Sequence, residues 1–569
     1  MLQLRLSVLL LLLCSCRCAF AVTADPCPRP AVASTIAEPE DLRSHNGILR
    51  VELDYRTSTD AQGQTRFCFL SKDGAQSPNL RVNPGDELIL TLKNDLPPAP
   101  DKLPVVVHAM PMAGQCTAGG MTASSTNLHF HGLVIAPVCH QDDTLTTSIQ
   151  PSDPPFEYRF KIPEDQPPGV YWYHPHIHGF AKAQILGGAS GALIVEGIEK
   201  LVPEVAGLPE RVLVVRDQNL LNPGAEPVHS DSVPPPIVLR DAEGDILNTG
   251  TGLGKPAKDL SLNFVPIPFP TYQPAVITMR PSEKQLWRVL NASAITYLDV
   301  QVLFKDSAQP LGLVALDGTP LNYGNSEGHN VLWKSHILLP PAGRAEFILK
   351  GPPPAVAAAF VTRSVDTGPA GENDPTRPLA TIRVSPDAAE PASRLGSPVP
   401  QPAAAQPLPL GQVKPVRNRL LYFSEVSQDP KDPNSPTVFF VTVDGQTPKA
   451  FDPNSPLPNI TVRSGDVEDW TIENRSTELH AFHIHQTHFQ LLLWNGVPVD
   501  EPFLRDTINV PYWDGKSPVY PSVKLRMDFR DPNIVGTFAY HCHLLEHQDG
   551  GMMGIIRVEP RNSVASGKK

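Results

Sequence analysis

"LRVNPGDELILTLKN" (residues 80–94) alternates apolar and polar residues on either side of an Asn-Pro-Gly-Asp turn. Alternation with period two marks a half-buried strand, and Pro-Gly punctuates it. The same plan recurs in "ITMRPSEKQLWRVLN" (277–291) and "ITVRSGDVEDWTIEN" (460–474). Each copy has a short strand, a turn of Pro, Gly, Ser or Asp, and a second strand that closes on Asn. A chain of 569 residues is too long for one core. Three copies of a β unit therefore predict three related all-β domains. The 64 prolines disfavour long helices, and short strands at this density favour β-sandwiches.

The expected boundaries follow from composition. Residues 1–21 read as an export signal: Arg5, the apolar core "LSVLLLLL" (6–13) and the small-x-small site "AFA" (19–21). The apolar run is too short to span a membrane. Export to a periplasm or the cell exterior is expected, with lipid anchoring at Cys16 as the lesser alternative. Three β domains are expected over 40–204, 205–384 and 416–560. The Ala/Pro-rich stretch 385–415 between the last two reads as a linker. Net charge is −12 and no basic run appears, which argues against a nucleic-acid partner. Cys27, Cys68, Cys116 and Cys139 suit two disulfides in an oxidising compartment, with all three connectivities open. Cys542 is the odd thiol.

A second set of repeats links only the first and third domains. "NLHFHGL" (127–133) parallels "AFHIHQT" (481–487), "GVYWYHPHIHG" (169–179) parallels "GTFAYHCHLLEH" (536–547), and "GGASGALIVE" (187–196) parallels "GGMMGIIRVE" (550–559). The middle domain has only His229, His329 and His336, without paired spacing, and reads as a spacer. On a strand, residues i and i+2 share a face. The pairs His129/His131, His174/His176, His483/His485 and His541/His543 thus present eight imidazoles in four same-face pairs. Packing the two domains face to face about a pseudo-twofold axis would gather them, and imidazole is a favoured copper ligand. Cys542, between His541 and His543, points the other way. There it can meet His480 and His547, with Met552 as a weak axial ligand: the donor set of a blue-copper site. In the first domain Thr126, Pro175 and Ala189 stand where His480, Cys542 and Met552 stand in the third. That copy has lost the mononuclear set and kept the cluster set.

These motifs, "HFHG", "YHPHIHG", "HAFHIH" and "HCHLLEHQDGGMM", resemble those of the multicopper oxidases over about residues 75–560. The resemblance implies three cupredoxin-like Greek-key domains and four coppers per chain: one type 1, one type 2 and two type 3. It makes His480, Cys542 and His547 type 1 ligands, with Met552 axial. It makes His129 and His483 type 2 ligands, and His131, His174, His176, His485, His541 and His543 type 3 ligands. Neither His178 nor His488 matches a ligand, and both are read as outer or surface residues. Asp143 is similar to the family's acid near the type 2 copper, with Asp142 as the alternative. Ala481 replaces a usual proline. Gln548 stands where many bacterial members carry Glu, which leaves Glu546 as the nearby carboxylate for the proton route.

The implied reaction couples four one-electron oxidations of a reductant to reduction of O₂ to water. Phenols or aromatic amines, taken in a cleft near His547, are the leading reductants. A Cu(I) reductant is the alternative, although Met110, Met112 and Met121 are more simply packing or loop residues than a Cu(I) site. A non-catalytic copper carrier would need only the mononuclear set. A copper nitrite reductase would need fewer cluster histidines.

Overall fold

The computed structural model describes residues 25–98, 116, 120–227, 240, 245–323, 329–397, 409–429, 431, 435–453, 457–501 and 503–561. The export signal, Met110, Met112 and His229 lie outside these residues.

Each of the three repeats is a corner between two sheets. The strand Asn79–Val82 lies in a five-stranded sheet and Glu87–Asn94 in the four-stranded sheet facing it. Ala275–Met279 and Lys284–Asn291 divide between a six- and a nine-stranded sheet in the same way. Ile460–Arg463 and Asp466–Asn474 divide between a five- and a seven-stranded sheet. The apolar residues of both strands then meet inside one core. Leu80 and Val82 share a core with Leu88 and Leu90. Ile277 and Met279 share one with Trp287 and Val289, and Ile460 and Val462 share one with Trp470 and Ile472. Gly85, Ser282 and Gly465 turn these corners at φ of 87°, 56° and 91°. The serine carries a left-handed strain of about 1–2 kcal/mol that glycine avoids.

The closing asparagine does the same task three times. Its Oδ1 accepts the N–H two residues on: Leu96 for Asn94, Ser293 for Asn291 and Ser476 for Asn474. Its Nδ2 donates to two carbonyls: Ser124 and Ile149, Thr296 and Leu339, Glu478 and Val510 respectively. Pairing is also threefold. The first repeat strand runs parallel to the last long strand of its unit, and the second runs parallel to the first long strand. The result is three β-sandwiches of one topology.

The 385–415 stretch is not wholly a linker. Ser393–Arg394 pairs antiparallel with Pro209–Gln218, and the Ser393 hydroxyl donates to Glu210 at 2.6 Å. A free sheet edge and a buried carboxylate hold a segment whose composition suggests none; residues 398–408 lie outside the description. The disulfides are Cys27–Cys68 and Cys116–Cys139, and Cys542 is a free, buried thiol. A buried charge network joins the first two units, with Glu210 bonded to Arg288 at 2.6 Å and to Arg81 at 2.7 Å. Val170, Trp172, Val212, Leu290, Ala342 and Leu545 form part of an apolar cluster drawn from all three units. Burying such side chains stabilises by about 1.5–3 kcal/mol each.

Candidate metal centre

Strand register places the histidines. His129–His131 pairs antiparallel with Gly169–His174, which sets His129 opposite His174. His480–Ile484 pairs with Gly536–Cys542, which sets His483 opposite His541. Alternation then divides the last strand. Phe538, Tyr540 and Cys542 enter the third core. His541 and, just beyond the strand, His543 face the first unit, where His541 Nε2 lies 3.4 Å from His176 Nε2.

All eight paired imidazoles are buried and meet between the first and third units. Two stacks relate by the internal duplication: His129 on His485 with ring centroids 3.8 Å apart, and His131 on His483 at 3.9 Å. The donor groupings obey the same symmetry. Nitrogens of His131, His174 and His543 lie within 4.8 Å of one another, as do those of His176, His485 and His541. His129, His131 and His483 form a further such group. The pseudo-twofold axis thus maps one triad onto the other and exchanges His129 with His483.

Outer hydrogen bonds decide which nitrogen faces inward. The Nδ1 atoms of His174 and His541 donate to the carbonyls of Pro175 and Cys542, both at 2.9 Å. His483 Nδ1 donates to the Asp506 carbonyl at 2.9 Å. His129 Nδ1 lies 2.9 Å from Asp142 Oδ2. Left without partners among the described residues are Nε2 of His129, His174 and His483, Nδ1 of His131, His176 and His485, and both nitrogens of His543. Each such orphan in a protein interior costs about 1–3 kcal/mol. In the second triad the Nε2 atoms of His176 and His485 converge instead, 3.4 and 3.2 Å from His541 Nε2, and an all-imidazole set fits copper.

On the far side of Cys542, its Sγ lies 3.6 Å from His480 Nδ1 and 3.7 Å from His547 Nδ1. Those three residues form their own donor group. Ser476 Oγ donates to Asn474 Oδ1 and sits 2.6 Å from His480 Nε2, so His480 keeps its lone pair on Nδ1. Glu478 Oε1, 3.3 Å from His547 Nε2, does the same for His547. Met552 is fully buried, donates its N–H to the His547 carbonyl at 2.8 Å and accepts from the Cys542 N–H at 3.1 Å.

Electrostatics agree with this donor set. Burial holds all ten of these histidines below the ordinary imidazole range, His174 and His480 to about 3 and His541 to about 4. They are therefore in the neutral, ligating form. Burial pushes the Cys542 thiol up to about 12, so only a bound cation would make it a thiolate.

Three expectations change. Asp142, rather than Asp143, reaches His129. Its side chain is fully buried, accepts the Phe130 N–H at 2.8 Å and takes the Gln486 amide. Asp143 accepts the Thr146 N–H at 3.1 Å, because the turn that aims Asp142 inward directs its neighbour to the next loop residue. Among the described residues Glu546 pairs with Lys182, across the first and third units, and not with a cluster histidine. Gln548 is buried with its amide unpartnered among the described residues. His178 and His488 are both buried, at 6% exposure, which leaves the outer reading and removes the surface one.

The sequence reading missed four residues. Asp506 Oδ1 lies 3.2 Å from His131 Nε2, and Arg344 clamps Asp506. Trp172 stacks on His174 at 4.0 Å. Glu478 caps His547. Only Glu478 had a local signal, its i+2 spacing from His480. The middle unit's other described histidines stay apart, with His336 bonded to Asp299 at 2.7 Å.

Residues 120–200 and 428–562 each match a sequence family described as multicopper oxidase. A Staphylococcus aureus multicopper oxidase is 36% identical over 124 residues, 21% of this chain and 24% of that protein. The matched segment thus spans about a quarter of that relative. A Campylobacter jejuni multicopper oxidase, described as a metallo-oxidase, superposes with TM-score 0.62 at 22% identity, covering 94% of this chain and 97% of its own. A laccase-like multicopper oxidase from Ochrobactrum sp. superposes with TM-score 0.59 at 18% identity, covering 92% and 100%. These likenesses establish the three-domain cupredoxin fold.

Proposed function

From a chain that carries two multicopper oxidase domains, we infer an oxidoreductase that couples one-electron oxidation of a reductant to four-electron reduction of O₂ to water. The observation that carries this reading is the pairing of two donor sets on opposite faces of one strand. His480, Cys542 and His547, with Met552 beside them, would hold one copper. The eight paired histidines would hold three more. Copper there supplies the single-electron steps and the reduction of O₂.

The protein's own part is to hold, orient and insulate. Cys542 joins both sets covalently through its neighbours, and the His541 Nδ1 bond to its carbonyl is a second link. Buried outer partners fix His129, His131, His174, His480, His483, His541 and His547, as ligand-orienting groups do in metal sites. Asp142 is the carboxylate that accepts the His129 Nδ1–H at Oδ2 and so sets which ring nitrogen faces inward. Export to an oxidising compartment is supported by the two disulfides and by the signal-like sequence pattern of residues 1–21. Among the described residues no helix is long and apolar enough to cross a membrane.

For the reductant, a phenol or aromatic amine meeting the His547 edge is the first reading. A reducing metal cation is the second, favoured by one observation. Glu478 sits at the outer nitrogen of His547, with Glu425 and Glu372 as its electrostatic neighbours.

The test is O₂ uptake by the copper-loaded chain with a phenol, an aromatic diamine and Cu(I) in parallel. Uptake with at least one is expected, and none with any of them at full copper load would sink the oxidase reading. Cys542→Ser is expected to abolish the blue absorption and turnover while cluster copper stays. Unchanged colour would refute the mononuclear assignment.

A further inference from the structure

We propose that Arg344, from the middle unit that lacks histidine ligands, is a positioning residue for the histidine cluster and acts through Asp506. The inference rests on the copper-cluster reading and adds to it a part for the middle domain. Arg344 and Asp506 are both fully buried and meet fork to fork, Nη1 to Oδ1 at 2.7 Å and Nη2 to Oδ2 at 2.6 Å. This bidentate geometry fixes a carboxylate plane as a single bond does not.

The plane that it fixes is the one that faces the ligands. Asp506 Oδ1 lies 3.2 Å from His131 Nε2, and the Asp506 carbonyl accepts from His483 Nδ1 at 2.9 Å. The Thr507 hydroxyl donates to the same Oδ1 at 2.8 Å and lies 3.2 Å from His483 Nδ1. With those outer nitrogens engaged, His131 Nδ1 and His483 Nε2 are the atoms left facing inward, and both lack partners among the described residues. His131 belongs to two donor groups, one with His129 and His483 and one with His174 and His543. One carboxylate therefore steadies the ligand that the two groups share.

The middle unit, with Val170 of the first unit, holds Arg344 in turn. Arg344 N–H donates to Asp317 Oδ1 at 3.0 Å, Nε to the Val170 carbonyl at 3.3 Å, and Nη1 to the Ala342 carbonyl at 3.2 Å. The pair is packed against Gly132 of the first histidine motif, at φ of 88°. A methyl group there would stand 2.7 Å from both Arg344 Nη2 and Asp506 Oδ2. The clamp thus touches all three units at one point. It differs from the other buried carboxylate at the cluster, Asp142, whose side-chain partner besides His129 is the neutral Gln486 amide.

The experiment compares wild type, Arg344→Lys, Arg344→Met and the double variant Arg344→Met/Asp506→Asn, all reconstituted with copper. The readouts are copper per chain, blue absorption, the type 2 electron-spin signal, copper retention against a chelator and thermal stability of the apo form. Wild type loading near four coppers with blue colour tests the underlying reading separately. Arg344→Met is expected to stay blue, to bind cluster copper about 10–100-fold more weakly and to show an altered type 2 signal. Arg344→Lys, which keeps the charge without the fork, is expected to recover copper but not the full signal. Wild-type cluster copper and signal in Arg344→Met would overturn the proposal. So would parallel loss of blue and cluster copper with apo stability, which marks a purely structural residue. If Arg344→Met does not accumulate, the double variant leaves no lone buried charge and is read by the same criteria.

Discussion

At the scale of single residues, adjacent positions have opposite fates. Cys542 enters the third core while His541 and His543 face the first unit, as strand alternation requires. Asp142 and Asp143 also diverge, but a turn and not a strand separates them, so spacing alone favoured neither. The geometry yields a direct comparison. Asp142→Asn keeps the size of the side chain but loses the carboxylate at His129 Nδ1, and turnover is expected to fall about 10–100-fold. Asp143→Asn is expected to stay within a few-fold, since Asp143 accepts from the Thr146 N–H and hydroxyl within its own turn. Steady-state O₂ uptake on both variants decides it, and the reverse ranking would restore Asp143.

At the scale of elements, the corner motif explains why the three copies close on asparagine. Asn94, Asn291 and Asn474 each tie a sheet edge to two loop carbonyls, and the repeat was legible because this task recurs at one spacing. Only the third copy is joined to a donor set: Asn474 Oδ1 accepts from Ser476 Oγ, which meets His480. Asn474→Ala and Asn291→Ala are each expected to cost about 2 kcal/mol or more of stability from orphaned buried carbonyls. Thermal melts should show comparable losses. Blue absorption should shift only in Asn474→Ala, and a shift in Asn291→Ala would break the link drawn between the corner and His480. The Ser393–Arg394 strand shows the reverse case. Its Ala/Pro-rich surroundings carry no strand signal, and it forms because an edge of the middle unit and Glu210 are there to receive it.

At the scale of the whole molecule, the units are joined by buried charge as well as by apolar surface. Burial raises the Glu210 carboxyl, but Arg288 and Arg81 outweigh it and hold it down at about 2, against 4.5 when free. A depressed carboxyl contributes stability that is full above its unfolded value and lost as pH falls toward its folded value. The Glu210 contribution is therefore present at neutral pH, worth about 3 kcal/mol, and disappears between pH 4.5 and about 2. Glu210→Gln is expected to be less stable at neutral pH and to lose less on acidification across that window. Denaturant titrations at several pH values measure the slope, and an unchanged slope would assign acid sensitivity to other groups.

Period-two patterning, set by the pleat of a strand, was enough to give three β units, four histidine pairs and the opposite heading of Cys542, because each depends only on residues near in sequence. The duplicated motifs added which two units face each other. Tertiary structure alone decided what depends on meetings across distance. It paired the four cysteines, chose Asp142 over Asp143, set Glu546 against Lys182 and gave the middle unit Arg344 to hold Asp506. Arg344 and Asp506 stand 162 positions apart, and no local period encodes such a contact. It exists because burial leaves a guanidinium and a carboxylate no partner as good as each other.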